Sequence, residues 1–137
     1  MAERPKQPHF DRLFTHEEAT ALLPELRTRL HDLAAMKQRL DDVQREFDAI
    51  QQHARSNGHA ARAQALGAEL ESLIYNLNTA VAAIQALGID VKDLAGGLVD
   101  FPSERDGRVV YLCWRMDEPA IVAWHELDSG FMGRQAL

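Results

Sequence analysis

The run His125-Glu126-Leu127-Asp128 sets an imidazole and a carboxylate three residues apart. Both are ligands that a divalent cation accepts, and the two converge on one ion if the chain turns just after His125. Asp100, Tyr111 and Cys113 lie upstream in strand-like segments, and Arg134 lies downstream in the tail. Together they make a candidate polar site. His125 and Asp128 are the metal ligands in this reading, with Asp100 as a further carboxylate. Asp100, Tyr111 and Arg134 are the contacts for a small ligand. No histidine pair at helical spacing accompanies them, and one cysteine does not make a zinc knuckle. The alternative is a structural hydrogen-bond network tying the last strand to the tail.

Cys113, the one cysteine, makes a nucleophile with His125 only if nearby cations lower its thiol pKa. Its place between Leu112 and Trp114, in the middle of a strand-like run, is the ordinary place of a small buried thiol. In the tail, Gly130-Phe131-Met132-Gly133 reads as a defined bent loop, after which Arg134 can pair with Asp100 or Asp128 through a forked contact. Arg105, Arg108, Arg115 and Arg134 form an anion clasp in one reading. In the other, the tail straps the sheet onto the helices. His16, His31, His53 and His59 fall on polar helix positions or at a hairpin tip and read as solvated. The chain has no phosphate loop, no Gly-x-Gly-x-x-Gly, no Gly-x-Ser-x-Gly and no His-Glu-x-x-His, which argues against nucleotide-dependent and serine-hydrolase chemistry.

The elements that must position these side chains change period at Gly88. Before it, Leu26, Leu30, Leu33, Met36, Leu40, Val43, Phe47, Ile50 and Ala54 recur at steps of three and four. So do Ala63, Leu66, Leu70, Leu73, Leu77, Val81, Ile84 and Leu87 after the break Ser56-Asn57-Gly58. Each arm is an amphipathic helix with one apolar stripe, and the short break returns the second arm antiparallel to the first. Thr15-His16-Glu17-Glu18 is a capping box, with Phe14 as its staple. Pro24 lacks an N–H and disfavours helical geometry at Leu23, which predicts a short first helix and then a kink or fresh start.

After Gly88 the residues Ile89 to Leu94 read as a link. Three strands follow: Gly97 to Phe101, ended by Pro102; Arg108 to Met116, dense in β-branched and aromatic residues; and Ala120 to Glu126. Parity places Val110, Leu112, Trp114 and Met116 on one apolar face and Tyr111, Cys113 and Arg115 on the other. Val99, Phe101, Val122 and Trp124 join the apolar face in the register that brings His125 beside Tyr111 and turns Asp100 outward. A slip of one residue would reverse the third strand.

With 137 residues, 46% hydrophobic and 26% charged, the composition is that of one globular domain. A net charge of −6 argues against nonspecific nucleic-acid binding and against adhesion to an anionic membrane. A lone cysteine, an N-terminus without an apolar core and the lack of a run of ~20 apolar residues point to a cytoplasmic location.

Gly97-Leu98-Val99-Asp100-Phe101-Pro102, Asp106-Gly107-Arg108, Tyr111-Leu112-Cys113-Trp114-Arg115, Trp124-His125-Glu126-Leu127-Asp128 and Gly130-Phe131-Met132-Gly133-Arg134-Gln135 resemble a bacterial family known as domain of unknown function 2203. Phe14-Thr15 and Leu22-Leu23-Pro24-Glu25-Leu26 resemble it too. The resemblance covers almost the whole chain. It implies a small cytoplasmic bacterial protein with no settled activity, and it supplies no catalytic residues.

The expected architecture is α+β: a long antiparallel, coiled-coil-like helical hairpin over residues 14–87, followed by a three-stranded antiparallel meander and strap over 97–137, in a single domain. The expected function is a non-enzymatic interaction or scaffold protein that forms a homodimer or takes a partner through the helices, because a hairpin covers only one side of each stripe. A metal- or small-ligand-binding protein acting through the polar face, with a hydrolytic enzyme as one form of it, is the other expectation.

Overall fold

The computed structural model describes residues 10–53 and 58–137. Two helices precede an antiparallel sheet: α1 (His16–Gln52), α2 (Ala60–Gln85), β1 (Asp90–Asp93), β2 (Leu98–Arg105), β3 (Arg108–Arg115), β4 (Ala123–His125) and β5 (Gln135–Ala136). The sheet is a five-stranded meander in the order β1-β2-β3-β4-β5, so the expectation of three strands is corrected. The two extra strands are its edges. β1 lies in the stretch expected to be a link; Asp90-Val91-Lys92-Asp93 is short and charged, which suits an edge strand. β5 has only two residues and takes its geometry from pairing with β4.

The capping box forms as expected. Glu18 N–H donates to Thr15 Oγ1 at 3.1 Å, and Thr15 N–H donates to Glu18 Oε1 at 3.0 Å. The expected break at Pro24 does not occur, and α1 runs through it for 37 residues, roughly 55 Å at the usual rise. Pro24 lies on the exposed side with Thr20, the residue whose carbonyl loses its helical donor, and water can take that carbonyl. Leu23 and Leu26 are buried beside it, and packing of that face outweighs the local preference. Ala54, Ser56 and Asn57 lie outside the described residues.

The helices pack antiparallel, with Arg39 on Glu69 and Arg62 on Glu46 across the seam. Near the tip Val43, Leu66 and Leu70 form a small core of their own. At the other end Leu23, Leu26, Leu30, Leu33, Leu77 and Ile84 meet the sheet through Val99, Phe101, Val110, Leu112, Trp114 and Trp124. Most of the stripe is therefore covered within one chain, and the inward face of the sheet has the predicted parity. Val122 departs from it: it lies before β4 and is 54% exposed.

β2 also runs past its expected stop. Pro102 pairs with Tyr111, and its carbonyl turns away from β3 to accept from Phe14 N–H at 2.7 Å. The N–H that proline lacks would point the same way, so no ladder bond is lost. Ser103 Oγ donates to Phe14 O at 2.6 Å, and the start of α1 is thereby clasped to the sheet.

Candidate functional site

The sheet face turned away from the helices carries Asp100 on β2, Tyr111 and Cys113 on β3, and His125 on β4. Registry fixes their neighbours: Asp100 stands opposite Cys113, and Tyr111 opposite His125. This is the register in which His125 falls beside Tyr111. The face is not a solvated one, however. Asp100 is 2% exposed, His125 2% and Cys113 fully buried.

His125 Nδ1 lies 2.7 Å from the carbonyl oxygen of Glu126, which can only accept, so Nδ1 carries a proton. Its Nε2 lies 3.0 Å from Asp100 Oδ1. A proton must also lie between those two atoms, and the pair holds it as a neutral unit. Burial pushes the Asp100 carboxyl above the usual carboxylate range, against the pull of His125. Burial, and after it the charge of Asp100, pushes the Cys113 thiol up to about 12. Cys113 is therefore a thiol rather than a thiolate, contrary to what nucleophilic catalysis requires. One ligand atom from each of Asp100, Cys113 and His125 lies within 4.8 Å of the other two.

Tyr111 is held by its edge neighbour. Its hydroxyl donates to Asp90 Oδ2 at 2.9 Å, its ring centroid is 5.5 Å from that of His125, and Lys92 Nζ lies 5.1 Å from it. Burial, then the bond to Asp90, raises the Tyr111 pKa. A cavity of about 260 Å³ opens over the His125 and Asp100 side chains. It is walled by Leu98, Leu127 and Phe131 and by the polar Lys92, Tyr111 and Asp128.

Four of the five predicted site residues thus line one pocket. Asp100 and His125 touch, Tyr111 adjoins them, and Asp128 sits exposed at the rim. Arg134 is elsewhere. Rather than Asp100 or Asp128, it takes Glu118 as its partner, donating from Nη2 to both carboxylate oxygens at 2.8 and 2.9 Å. Phe131 is flanked by Arg115 and Arg134, with guanidinium carbons 5.5 and 4.9 Å from its centroid. Of the arginines in the anion-clasp reading, Arg108 pairs with Glu126, Arg115 with Asp117 and Arg134 with Glu118. Arg105 lies over Trp124. His16, read as solvated, hydrogen-bonds through Nε2 to the Ile121 carbonyl at 2.9 Å.

Three contributors were missed. Asp90 and Lys92 belong to the edge strand read as a link, although the alternation of Val91 with them was a signal. Glu118 falls between the expected second and third strands, and nothing local marks it as the partner of Arg134.

Two long helices on one face of an antiparallel sheet, with a buried Asp–His–Cys group on the other, define a small α+β protein in which, among the described residues, these three are the one group of side chains placed to share a metal ion. The chain belongs to the family described as "Uncharacterized conserved protein (DUF2203)", whose model matches residues 12–137. This is the family that its C-terminal motifs resemble. No curated protein and no solved structure matches the chain. Among the described residues, no helix is long and apolar enough to cross a membrane.

Proposed function

We propose that this chain is a binding protein whose working surface is the pocket over Asp100 and His125, and that its ligand is small and polar. The observation that carries this reading is the buried Asp100–His125 contact beneath a cavity. Apolar residues at such positions commonly leave stability unchanged or raise it. A buried ionisable pair facing a cavity is therefore better explained by binding than by the needs of the fold. The volume, about 260 Å³, lies just under the usual range for drug-sized ligands of roughly 300–1,000 Å³, which suits a metabolite fragment or an ion. The raised thiol pKa of Cys113 weighs against covalent catalysis.

Fragment screening by amide NMR tests this. Small polar compounds should shift the amides of Lys92, Tyr111, His125 and Asp128, and Leu127→Trp, which fills a wall of the pocket, should abolish the shifts. Perturbations confined to other surfaces, or none at millimolar concentration, would refute the reading.

A second reading is self-association through the outer face of α2, favoured by Ile74 and Tyr75, which are 45% and 72% exposed. A homodimer in light scattering that Tyr75→Asp returns to a monomer would support it. A monomer at all concentrations would remove it.

A further inference from the structure

We infer that Asp100, Cys113 and His125 form the binding site of a divalent, thiol-seeking metal ion of the zinc type, with its open coordination position toward the cavity. The inference rests on the pocket reading above and narrows it to a particular ligand.

The ligand set has the right chemistry. An imidazole nitrogen, a thiolate and a carboxylate oxygen are the three donor types of zinc sites, at about 2.0–2.3 Å from the ion. Donor atoms around a tetrahedral ion of that size stand roughly 3.3–3.8 Å apart. The three atoms here lie within 4.8 Å of one another, so small side-chain adjustments reach that spacing. They project from three adjacent strands whose register sets them on the same face.

The imidazole is also oriented as a ligand should be. Nδ1 is tied to the Glu126 carbonyl at 2.7 Å, which turns Nε2 toward Asp100. Metal-bound histidines almost always donate their other ring N–H to such a partner. A merely structural Asp–His contact does not need a thiol within reach of both groups, and here the thiol stands directly opposite Asp100.

The charge balance is favourable. One proton lies between His125 and Asp100 and another on the Cys113 sulfur. A dication that displaces both to solvent leaves the buried site with the same net charge, avoiding an uncompensated buried charge. Three protein ligands leave a fourth position, and Asp100 and His125 both line the cavity from which water, Asp128 or an incoming ligand can fill it.

The experiment is titration of the chelator-treated full chain with Zn²⁺ and with Co²⁺. One ion per chain should bind, two protons should be released, and Co²⁺ should give a thiolate charge-transfer absorption in the near ultraviolet. Cys113→Ser should abolish that absorption, and His125→Gln should weaken binding by more than the ~10–100-fold that loss of an outer-shell partner costs. Should the variants fail to fold, paramagnetic broadening by Co²⁺ in the unmodified chain should centre on Asp100, Cys113 and His125. Lack of stoichiometric binding would overturn the inference. So would binding whose absorption survives Cys113→Ser, or broadening centred on other residues. If fragments shift Lys92 and Tyr111 while no metal binds, only the metal assignment falls. If neither binds, the pocket reading falls with it.

Discussion

His125 and Asp100 are 25 residues apart in sequence and meet at 3.0 Å in a place that water scarcely reaches. Their contact spans from β2 to β4 across β3, so it reports directly on the register of three strands. Because the Glu126 carbonyl claims the Nδ1 proton, the contact works only with one proton shared by the pair.

Stability should respond to pH through Asp100 in the direction opposite to that of a salt-bridged carboxylate. Burial raises its folded pKa, so the folded protein holds that proton more tightly than the unfolded chain. The resulting stabilisation is complete below the unfolded value of about 3.9 and is lost as pH rises through the folded value. Urea denaturation of the wild type and of Asp100→Asn across this range should show a wild-type advantage that shrinks with rising pH. An advantage that grows with pH would contradict this assignment.

Cys113 should resist thiol reagents in the folded metal-free chain. It is fully buried, and burial holds its thiol near 12. Ellman's reagent near pH 8 should react only at the rate of unfolding and quickly in denaturant. Prompt reaction of the native protein would mean that the sheet face opens. Above the usual thiol pKa of about 8.5, stability should fall with pH by at most ~1.4 kcal/mol per unit from this group, until the folded value is passed.

Arg134→Ala should destabilise by about 1–3 kcal/mol, because it strips the cationic partner from a largely buried Glu118 carboxylate and leaves it only the Arg115 N–H. The near-ultraviolet circular dichroism should change as well, since the guanidinium packs on Phe131. A loss below ~0.5 kcal/mol in equilibrium unfolding would show that the pair behaves as a surface contact.

Pro24→Ala should stabilise. Proline costs up to ~3 kcal/mol relative to alanine inside a helix, and Pro24 is exposed, so no packing is lost. A gain of about 1–3 kcal/mol in thermal or chemical denaturation is expected. Destabilisation would mean that the long helix depends on a bend at this position.

The helices, the capping box and the inward face of the sheet were legible because each repeats a period that burial enforces. Leu26, Leu30 and Leu33, or Val110, Leu112 and Trp114, announce their side by spacing alone. Pro24 misled because local preference was weighed without the sheet that buries Leu23 and Leu26 beside it. Pro102 misled in the same way, since its harmlessness depends on Phe14, far away in sequence. Of the site, Asp100, Tyr111 and His125 followed from strand parity. The pairing of Arg134 with Glu118 did not, because a tail that returns along β4 obeys no period. Cys113 was read as a small core residue, and in exposure it is one. Its proximity to both Asp100 and His125 emerges only when three strands are laid side by side.

The clasp between Phe14 and Ser103 joins residues 89 positions apart, and the core around it draws on α1 as well as β4. Synthesis from the N-terminus therefore leaves the inner flank of α1, from Leu23 to Leu33, covered only in part, by Leu77 and Ile84 of α2, until nearly the whole sheet has been translated. Chaperone capture of ribosome-bound chains should be strongest before Trp124 emerges and should end soon after. Chains already released from capture at Gly88 would show that the hairpin closes that flank unaided.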